Sequence, residues 1–529
     1  MRRSLLLPYP GVAHLRCGIA ARGVVLLALI ALCALAGCKT GPDYHRPETA
    51  TPESWRFEAS DAAEIANTQW WAQFDDSVLN DLVEAALQEN KDLKMAAARV
   101  ELFAGLYQAS RSGLFPHVGG STSAGRVRNT EEGPGATVST STIQELLGLT
   151  QKVQALVSGL DTLTGGAGAA APSSGATSGM SAMPSARIEN PVDSFRSGFS
   201  ASWEIDLWGK LRRANESARA DLLAAEEGRR GVILMLVSAV AESYVNLRSL
   251  DRALEIAQAT VKTREDTYNL FKRRFETGVI SQLELSQVES VYEQARAALP
   301  VIERAVARQE NGLCMLLGRN PAAVPRGKTL DELAIPAVPA GLPSDLLINR
   351  PDIRQAEQNL ISANAQIGVA RAQYFPSISL TGMFGWASTD IDNLFQGSAR
   401  TWNYAAPIDV PIFTAGGIRG RVKAAEAGQE EALARYQQAI QNAFREVEDA
   451  LITVKTVREE LDAHGRQLEA FMRYAHLARR RYEGGFASYI EVLDAERGVF
   501  SGELALAEAR GRLFQGLVAL YKAMGSGWQ

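Results

Sequence analysis

The sequence is poor in cysteine, in histidine and in long apolar runs, and each shortage closes a route. Of four cysteines in 529 residues, Cys17, Cys33 and Cys38 fall near the N-terminus and Cys314 stands alone in the body. No disulfide can therefore brace the body. Cys314 lies in the apolar run Leu313 to Leu317, where a buried, inert thiol is expected. The five histidines, His14, His45, His117, His464 and His476, are scattered, and the last two are 12 apart, a spacing that fits no common metal motif. Glycine-rich phosphate loops and nucleophile elbows are also missing, so the pattern offers no metal site, no cofactor and no catalytic residues. The apolar run Val24 to Leu35 spans 12 residues, short of the ~20 a membrane-crossing helix needs. A net charge of −5, spread along the chain, gives no basic domain for nucleic acid. Proline is absent between Pro191 and Pro300 and again after Pro411, which leaves room for very long helices.

What is present begins with the N-terminus. Arg2, Arg3, Arg16 and Arg22 precede the apolar run, and Leu35-Ala36-Gly37-Cys38 follows it. Residues 1–37 read as a secretory signal. The last four positions resemble the bacterial lipobox, which implies that Cys38 becomes the mature N-terminus, carrying an S-diacylglycerol and an N-palmitoyl chain. An ordinary cleaved signal beside an unmodified cysteine is the alternative. Lys39, rather than an aspartate, follows Cys38, and the resemblance then implies the outer membrane. Residues 38–69, with Pro42, Pro47 and Pro52, read as an extended strap from the anchor to the body.

The body is organised around a stretch that occurs twice. Arg480-Arg481-Tyr482-Glu483-Gly484-Gly485-Phe486-Ala487-Ser488 matches Arg273-Arg274-Phe275-Glu276-Thr277-Gly278-Val279-Ile280-Ser281 at an offset of 207. Gly278 and Gly485 suit a sharp reversal, and Ser281 and Ser488 suit the N-cap of the helix that follows. Each copy reads as the tip of a helical hairpin, near 278 and near 485. A second correspondence, Leu114-Phe115-Pro116 with Tyr374-Phe375-Pro376, has an offset of 260. The first half therefore carries 53 extra residues, the difference between the two offsets, placed between Phe115 and Trp208. They belong to the Gly-, Ser-, Thr- and Ala-rich interval 131–190, read as an enlarged loop that either serves recognition or is a tolerated insertion.

Around these loops the hydrophobic period is two. Phe195, Phe199, Trp203, Ile205 and Leu207 alternate with polar residues, as do Ile378, Leu380, Phe384 and Trp386, and then Trp402, Tyr404, Ile408, Val410 and Ile412. Strands with one aromatic-rich face are the pattern of membrane barrels, though a soluble sandwich gives a similar one. The spacing predicts a helix from Trp70 to about Gln108, a β-hairpin over 116–208, and a long helix from about Leu211 to Thr277, all within a first repeat of 70–318. A Pro-rich linker covers 319–345, and a second repeat over 346–529 holds a hairpin at 376–413 and a second long helix. Four short strands cannot close a barrel by themselves, and an open edge is intolerable in lipid. Several copies must share one barrel.

Leu346-Leu347, Arg350-Pro351-Asp352-Ile353, Ala356-Glu357, Ala363-Asn364-Ala365, Ile367-Gly368-Val369-Ala370-Arg371 and Phe375-Pro376-Ser377-Ile378, in this order and spacing, resemble the efflux-type outer-membrane factor lipoproteins, relatives of TolC. The resemblance implies a mixed α/β membrane channel. A homotrimer would share a 12-stranded β-barrel in the outer membrane, four strands per chain, continuous with a periplasmic coiled-coil α-barrel. It implies a passive duct that conducts drugs, toxic organics or metal ions from a periplasmic adaptor and an inner-membrane pump, expected to be of RND type. It also implies a periplasmic gate at Ile490, Glu491, Asp494 and Arg497, and adaptor-docking tips at Gly278, Val279, Ser281, Gly485, Phe486 and Ser488. A protein-secretion channel, or a coiled-coil spacer lipoprotein that forms no channel, would be the rival functions.

Overall fold

The computed structural model of the chain describes residues 39–48, 52, 55–57, 63–64, 69–128, 191–336, 338–340 and 343–527. The signal segment, Cys38 and the insertion at 131–190 lie outside them. In chain order the elements are β1 (Ala63–Glu64), α1 (Ser77–Glu89), α2 (Lys91–Ser112), β2 (His117–Val127), β3 (Val192–Ile205), α3 (Lys210–Glu276) and α4 (Gln282–Leu316). There follow β4 (Pro339–Ala340), α5 (Leu346–Asn349), α6 (Pro351–Ala372), β5 (Ser377–Ser388), β6 (Arg400–Ala405), β7 (Ile408–Asp409), α7 (Gly417–Glu483) and α8 (Tyr489–Ala523). They divide into a helical unit and a sheet unit, the latter drawn from 115–205 and 377–409.

In the helical unit, α3 and α7 each run for 67 residues, α4 and α8 for 35, and α2 and α6 for 22. At 1.5 Å rise per residue the longest pair are about 100 Å each. Helices of this length draw their stability from packing. Among the described helices α3 alone is long and apolar enough to cross a bilayer, yet half of its apolar window is buried inside the molecule. That window is core.

Glycine sets the helix ends. Gly278, Gly318, Gly485 and Gly525 all have φ between 70° and 77°. After each, the next N–H reaches back five residues: Val279 to Arg274 O at 2.8 Å, Arg319 to Cys314 O at 2.9 Å, Phe486 to Arg481 O at 2.8 Å and Ser526 to Tyr521 O at 3.1 Å. This closure satisfies carbonyls that the helix leaves open, and a side chain on the left-handed residue would strain it.

The single helix expected from Trp70 to Gln108 is instead a 3-10 turn (Trp70–Phe74), α1 and α2. Asp76 caps α1 through Val78 N at 2.9 Å. Asn90 then breaks the helix in an extended conformation. Its side chain caps Leu93 N at 3.0 Å and donates to Leu316 O at 2.8 Å. The apolar period continues across the break, because the two local caps, rather than any change in hydrophobicity, interrupt the backbone.

Three apolar clusters hold the unit. Trp70 and Phe74 pack with α1, α3, α4 and α8 around Tyr244, Leu313, Phe514 and Tyr521. Ile353 and Leu360 of α6 pack with Tyr436 and Val447 of α7 and Leu517 of α8. Phe271, Val288, Tyr489 and Val492 form a third cluster beside the tips. The Pro-rich linker proves to be part of the first cluster, which buries Val324, Leu330 and Leu333. Its backbone is latched too: Lys328 N donates to the buried Asp76 carboxylate at 3.0 Å, and Tyr244 OH donates to the same group at 2.7 Å. Cys314 is buried and free, with Sγ 3.3 Å from Ala322 O.

In the sheet unit every pairing is antiparallel, in the order β2-β3-β5-β6 with β7 also on β5. The register brings Gly120, Phe199, Phe384 and Trp402 into one row. Val118, Ala201, Gly382 and Tyr404 form another. Trp203 pairs with Leu380, and Ile378 with both Ile205 and Ile408. All of these share one face, while Arg196, Ser200, Ser202, Glu204, Thr381 and Asn403 take the other. The returning strand is shorter than its alternation predicts: β6 ends at Ala405 and β7 covers Ile408 and Asp409. Pro407 and Pro411, having no N–H, interrupt the ladder. Likewise β3 stops at Ile205, and Asp206 turns to capping, accepting from Leu211 N at 3.1 Å and Arg212 N at 2.8 Å.

Candidate functional site

The two tips are built on the same backbone but differ in chemistry. In the first, Ser281 and Glu284 form a reciprocal capping box, with Ser281 N 2.9 Å from Glu284 Oε2 and Glu284 N 3.2 Å from Ser281 Oγ. In the second, Ser488 occupies the N-cap position but makes no side-chain cap bond. The corresponding acid, Glu491, lies 3.5 Å from Arg481 of its own tip. The N-cap bond expected of Ser488 therefore does not form, and Glu491 faces Arg481 instead of closing a capping box.

Val279 and Phe486 crown the two tips with 70% and 80% of their surface exposed. Behind them lies an aromatic knot that joins the two hairpins. The Phe271 ring is 4.3 Å from Tyr489, and Tyr482 is 4.8 Å from Tyr489. Arg274 stacks its guanidinium 5.7 Å from the Phe271 centroid and donates to Tyr482 OH at 3.4 Å. Burial, helped by the nearby Glu496 carboxylate, pushes the Tyr489 phenol up to about 12. It therefore stays a neutral, apolar member of the knot at ordinary pH.

Of the expected gate residues, Ile490, Asp494 and Arg497 are exposed along one side of α8, and Glu491 is half-buried toward Arg481. Next to them, Glu496 pairs with Arg479. Arg264 of α3 is buried, donating to Val291 O at 3.0 Å with Phe500 of α8 5.3 Å away. Burial pulls its pKa down, against the opposing pull of Glu496. Phe271, Tyr489 and Arg264 were not singled out from the sequence. Phe271 and Tyr482 flank the repeated Arg-Arg pairs, but their meeting depends on packing between hairpins, for which the linear pattern carries no signal.

The strap is bound from its first described residue rather than trailing free. Thr40 Oγ1 donates to Trp208 O at 2.8 Å and to Gly368 O at 3.2 Å. Arg213, 1% exposed, reaches Thr40 O at 3.1 Å, Asp43 at 2.8 Å and Glu216 at 3.0 Å. Asn364 donates to Pro42 O at 3.0 Å. A Cβ on Gly41 would lie 2.5 Å from Gly368 Cα, so strap and α6 touch backbone to backbone. Farther along, Tyr44 and Arg46 both bind Glu357, at 3.1 and 2.8 Å.

The comparisons agree with this architecture. The family model described as outer membrane efflux protein matches residues 162–319 and 342–526. The chain is 33% identical over 510 residues to the solvent efflux pump outer membrane protein SrpC of Pseudomonas putida, covering 95% of this chain and 98% of that one. It is equally 33% identical over 510 residues to the cation efflux system protein CusC of Escherichia coli, covering 95% and 99%. Among solved structures, the outer-membrane channel OprN superposes with a TM-score of 0.77 at 29% identity, covering 93% of this chain and all of that one. The open state of the Neisseria gonorrhoeae MtrE channel superposes with a TM-score of 0.75 at 29% identity, covering 93% and 99%. From a duplicated helical body with an aromatic-faced sheet to matches over nearly its whole length, everything places this chain in the family of outer membrane efflux proteins.

Proposed function

We propose that three copies of the chain assemble the exit duct of a tripartite efflux system, each contributing four strands to a shared 12-stranded barrel. As a family member the chain resides in the outer membrane and supplies the outward path, while a periplasmic adaptor and an inner-membrane pump deliver the cargo. The observation that carries the trimer is the sheet. Its register gathers the aromatic side chains of β3, β5 and β6 on one face, with Val118 and Gly120 of β2 in the same rows, as lipid requires. Among the described residues β2 and β6 are left as edges, and edges in a bilayer must be closed by further strands.

Lipidation of Cys38 is supported by the fixed position of Lys39 and Thr40 against Trp208, immediately after the end of β3. The acyl chains would add apolar anchoring in the membrane. No other covalent group or cofactor enters the proposal, and the duct performs no catalysis. Relatives are named for solvents, toluene, antibiotics and cations, and for this chain we assign small organic molecules or ions, with an RND-type pump making the selection.

Ile490, Glu491, Asp494 and Arg497 form the gate in this reading. Three copies would place rings of Glu491 and Asp494 around one axis and favour cations. The exposed Val279 and Phe486 dock the adaptor, on turns made by Gly278, Ser281, Gly485 and Ser488. The test is the native mass and planar-bilayer conductance of the lipidated protein, wild type and Glu491→Ala with Asp494→Ala. A three-chain assembly with small, cation-selective conductance that grows and loses selectivity in the double variant is expected. A trimer indifferent to the substitutions would remove the gate assignment, and a single chain that never conducts would remove the duct.

A further inference from the structure

The helical unit carries a groove on the side turned away from its first apolar cluster, and duplication explains the opening. On α3, Glu242, Ser243 and Asn246 follow Ala239 at three, four and seven residues and so share one helix face, while Val240, Tyr244 and Leu247 of the other face enter the cluster. On α8, Gln515, Gly516 and Ala519 follow Arg512 at the same intervals, opposite Phe514, Val518 and Tyr521. With Gln309 and Leu316 of α4 and Thr453 and Val457 of α7, these faces border a space of about 660 Å³, within the ~300–1,000 Å³ of small-molecule sites. Gly516 stands where the first half, 207 residues earlier, has Gln309. The missing side chain leaves the space open: a Cβ on Gly516 would do no more than touch Val454 at 3.4 Å.

We infer that this groove binds an organic cation, a protonated amine with an apolar body, on the carboxylate of Glu242. Glu242 is half-buried on the groove wall, and among the described residues it forms no hydrogen bond or ion pair. The other charge on the wall, Arg512, is already answered by Glu460 at 2.5 Å and Glu508 at 2.7 Å. Asn246 and Gln309 are occupied with the wall itself. Asn246 Nδ2 donates to Gln309 Oε1 at 2.9 Å, and Gln309 Nε2 donates to Ser243 O and Ser243 Oγ, both at 2.8 Å. Among the residues lining the groove, Glu242 is thus the one charge without a partner. Burial pushes its pKa up, against the pull of Lys522, which is the response of a carboxylate short of a counter-charge.

The lining selects the class of ligand. A metal ion needs several acidic or imidazole ligands, and this wall offers a single carboxylate. An anion would be repelled by it. An ammonium donates to the carboxylate in a charge-assisted bond, and Ala239, Leu316, Val457 and Ala519 give apolar wall to the rest of the molecule. Asp449, the counterpart of Glu242 at the offset of 207, is exposed and lies outside the groove. Duplication therefore supplies an acid in both halves but a site in only one.

Reading such an amine as cargo rests on the duct proposed above; its binding does not. Dansylcadaverine, a fluorescent primary amine, titrated into the full lipidated protein with protein-free micelles subtracted, is expected to saturate at one dye per chain. Dansylglycine, an anion, should show no saturation. Glu242→Gln should weaken the amine about tenfold or more by removing the charge-assisted bond. Gly516→Gln, which restores the side chain that Gln309 has in the first half, should fill the groove and abolish binding, while Asp449→Asn should leave it unchanged. Absence of saturation, equal binding of the two dyes, or unchanged affinity in Glu242→Gln, in protein with the native mass and conductance of a trimer, would overturn the site and leave the duct standing. Binding as expected by a protein that never conducts would keep the site and remove the cargo reading.

Discussion

Phe271 is the residue whose removal separates local order at the tips from the stability of the rest. It is 2% exposed, lies 4.3 Å from Tyr489 and 6.4 Å from Tyr482, and carries Arg274 over its ring. Phe271→Ala deletes a buried aromatic at a cost of about 3–5 kcal/mol. Even the lower figure, about 3 kcal/mol, has a large effect. At 1.4 kcal/mol per factor of ten, local opening of the knot becomes about a hundredfold more frequent. The cluster containing Phe271 shares no residue with the other two, so the fold and the proposed trimer should persist while the tips loosen. Hydrogen exchange over 265–295 and 475–495 reads this directly, with bilayer conductance alongside. Phe275→Ala is the control: Phe275 is the counterpart of Tyr482 but is 37% exposed, and its loss should cost under about 1 kcal/mol. Unchanged exchange at the tips in Phe271→Ala, or exchange rising equally through all helices, would refute the idea of a separately stabilised knot.

If the proposed tips dock the adaptor, Val279→Ser with Phe486→Ser should abolish cross-linking to it while leaving native mass and conductance intact, because both side chains are exposed, at 70% and 80%. Arg213→Ala should free the strap, because it leaves the Thr40 carbonyl without its donor, at a cost of about 1–3 kcal/mol; protease cleavage within 39–46 of the folded protein reports it. Gly498→Val should force α7 and α8 apart, since even a Cβ there would lie 2.4 Å from the Phe471 ring; a loss of about 1–3 kcal/mol in thermal or denaturant unfolding is expected. Burial raises the Glu310 pKa, but the hydrogen bonds and charge of Arg326 and the Val324 N–H outweigh it and hold the group below its usual 4.5. A lowered folded-state pKa contributes stability above 4.5 that is lost as pH falls through the folded value. Acidification below 4.5 should therefore loosen the linker, detected as hydrogen exchange over 320–333, and Glu310→Gln should remove that dependence.

Much of this architecture is legible in the chain because duplication leaves marks that do not depend on contacts. Offsets of 207 and 260 locate the corresponding helices, and the glycines of the tips sit where reversal requires left-handed backbone. The alternation of Phe199, Phe384 and Trp402 defines an apolar strand face, since period two is a property of one strand. The same reasoning misses the break at Asn90, where hydrophobic period continues through a cap, and overextends the strand beyond Ala405, where proline removes donors. It reads 38–69 as an extended strap but gives no sign of what holds Thr40 to Arg46, because the partners Arg213, Asn364 and Gly368 are over 160 residues away. The amino-acid sequence by itself determined the two corresponding stretches, their tips and the apolar strand face, all features of local pattern and spacing. Only the tertiary structure decided that the strap and linker are packed, that Ser488 makes no cap while Ser281 does, that Phe271 knots the two hairpins, and that α2 is left bare where α6 is covered. Those outcomes depend on distances between residues far apart in the chain, and periodicity carries no record of them.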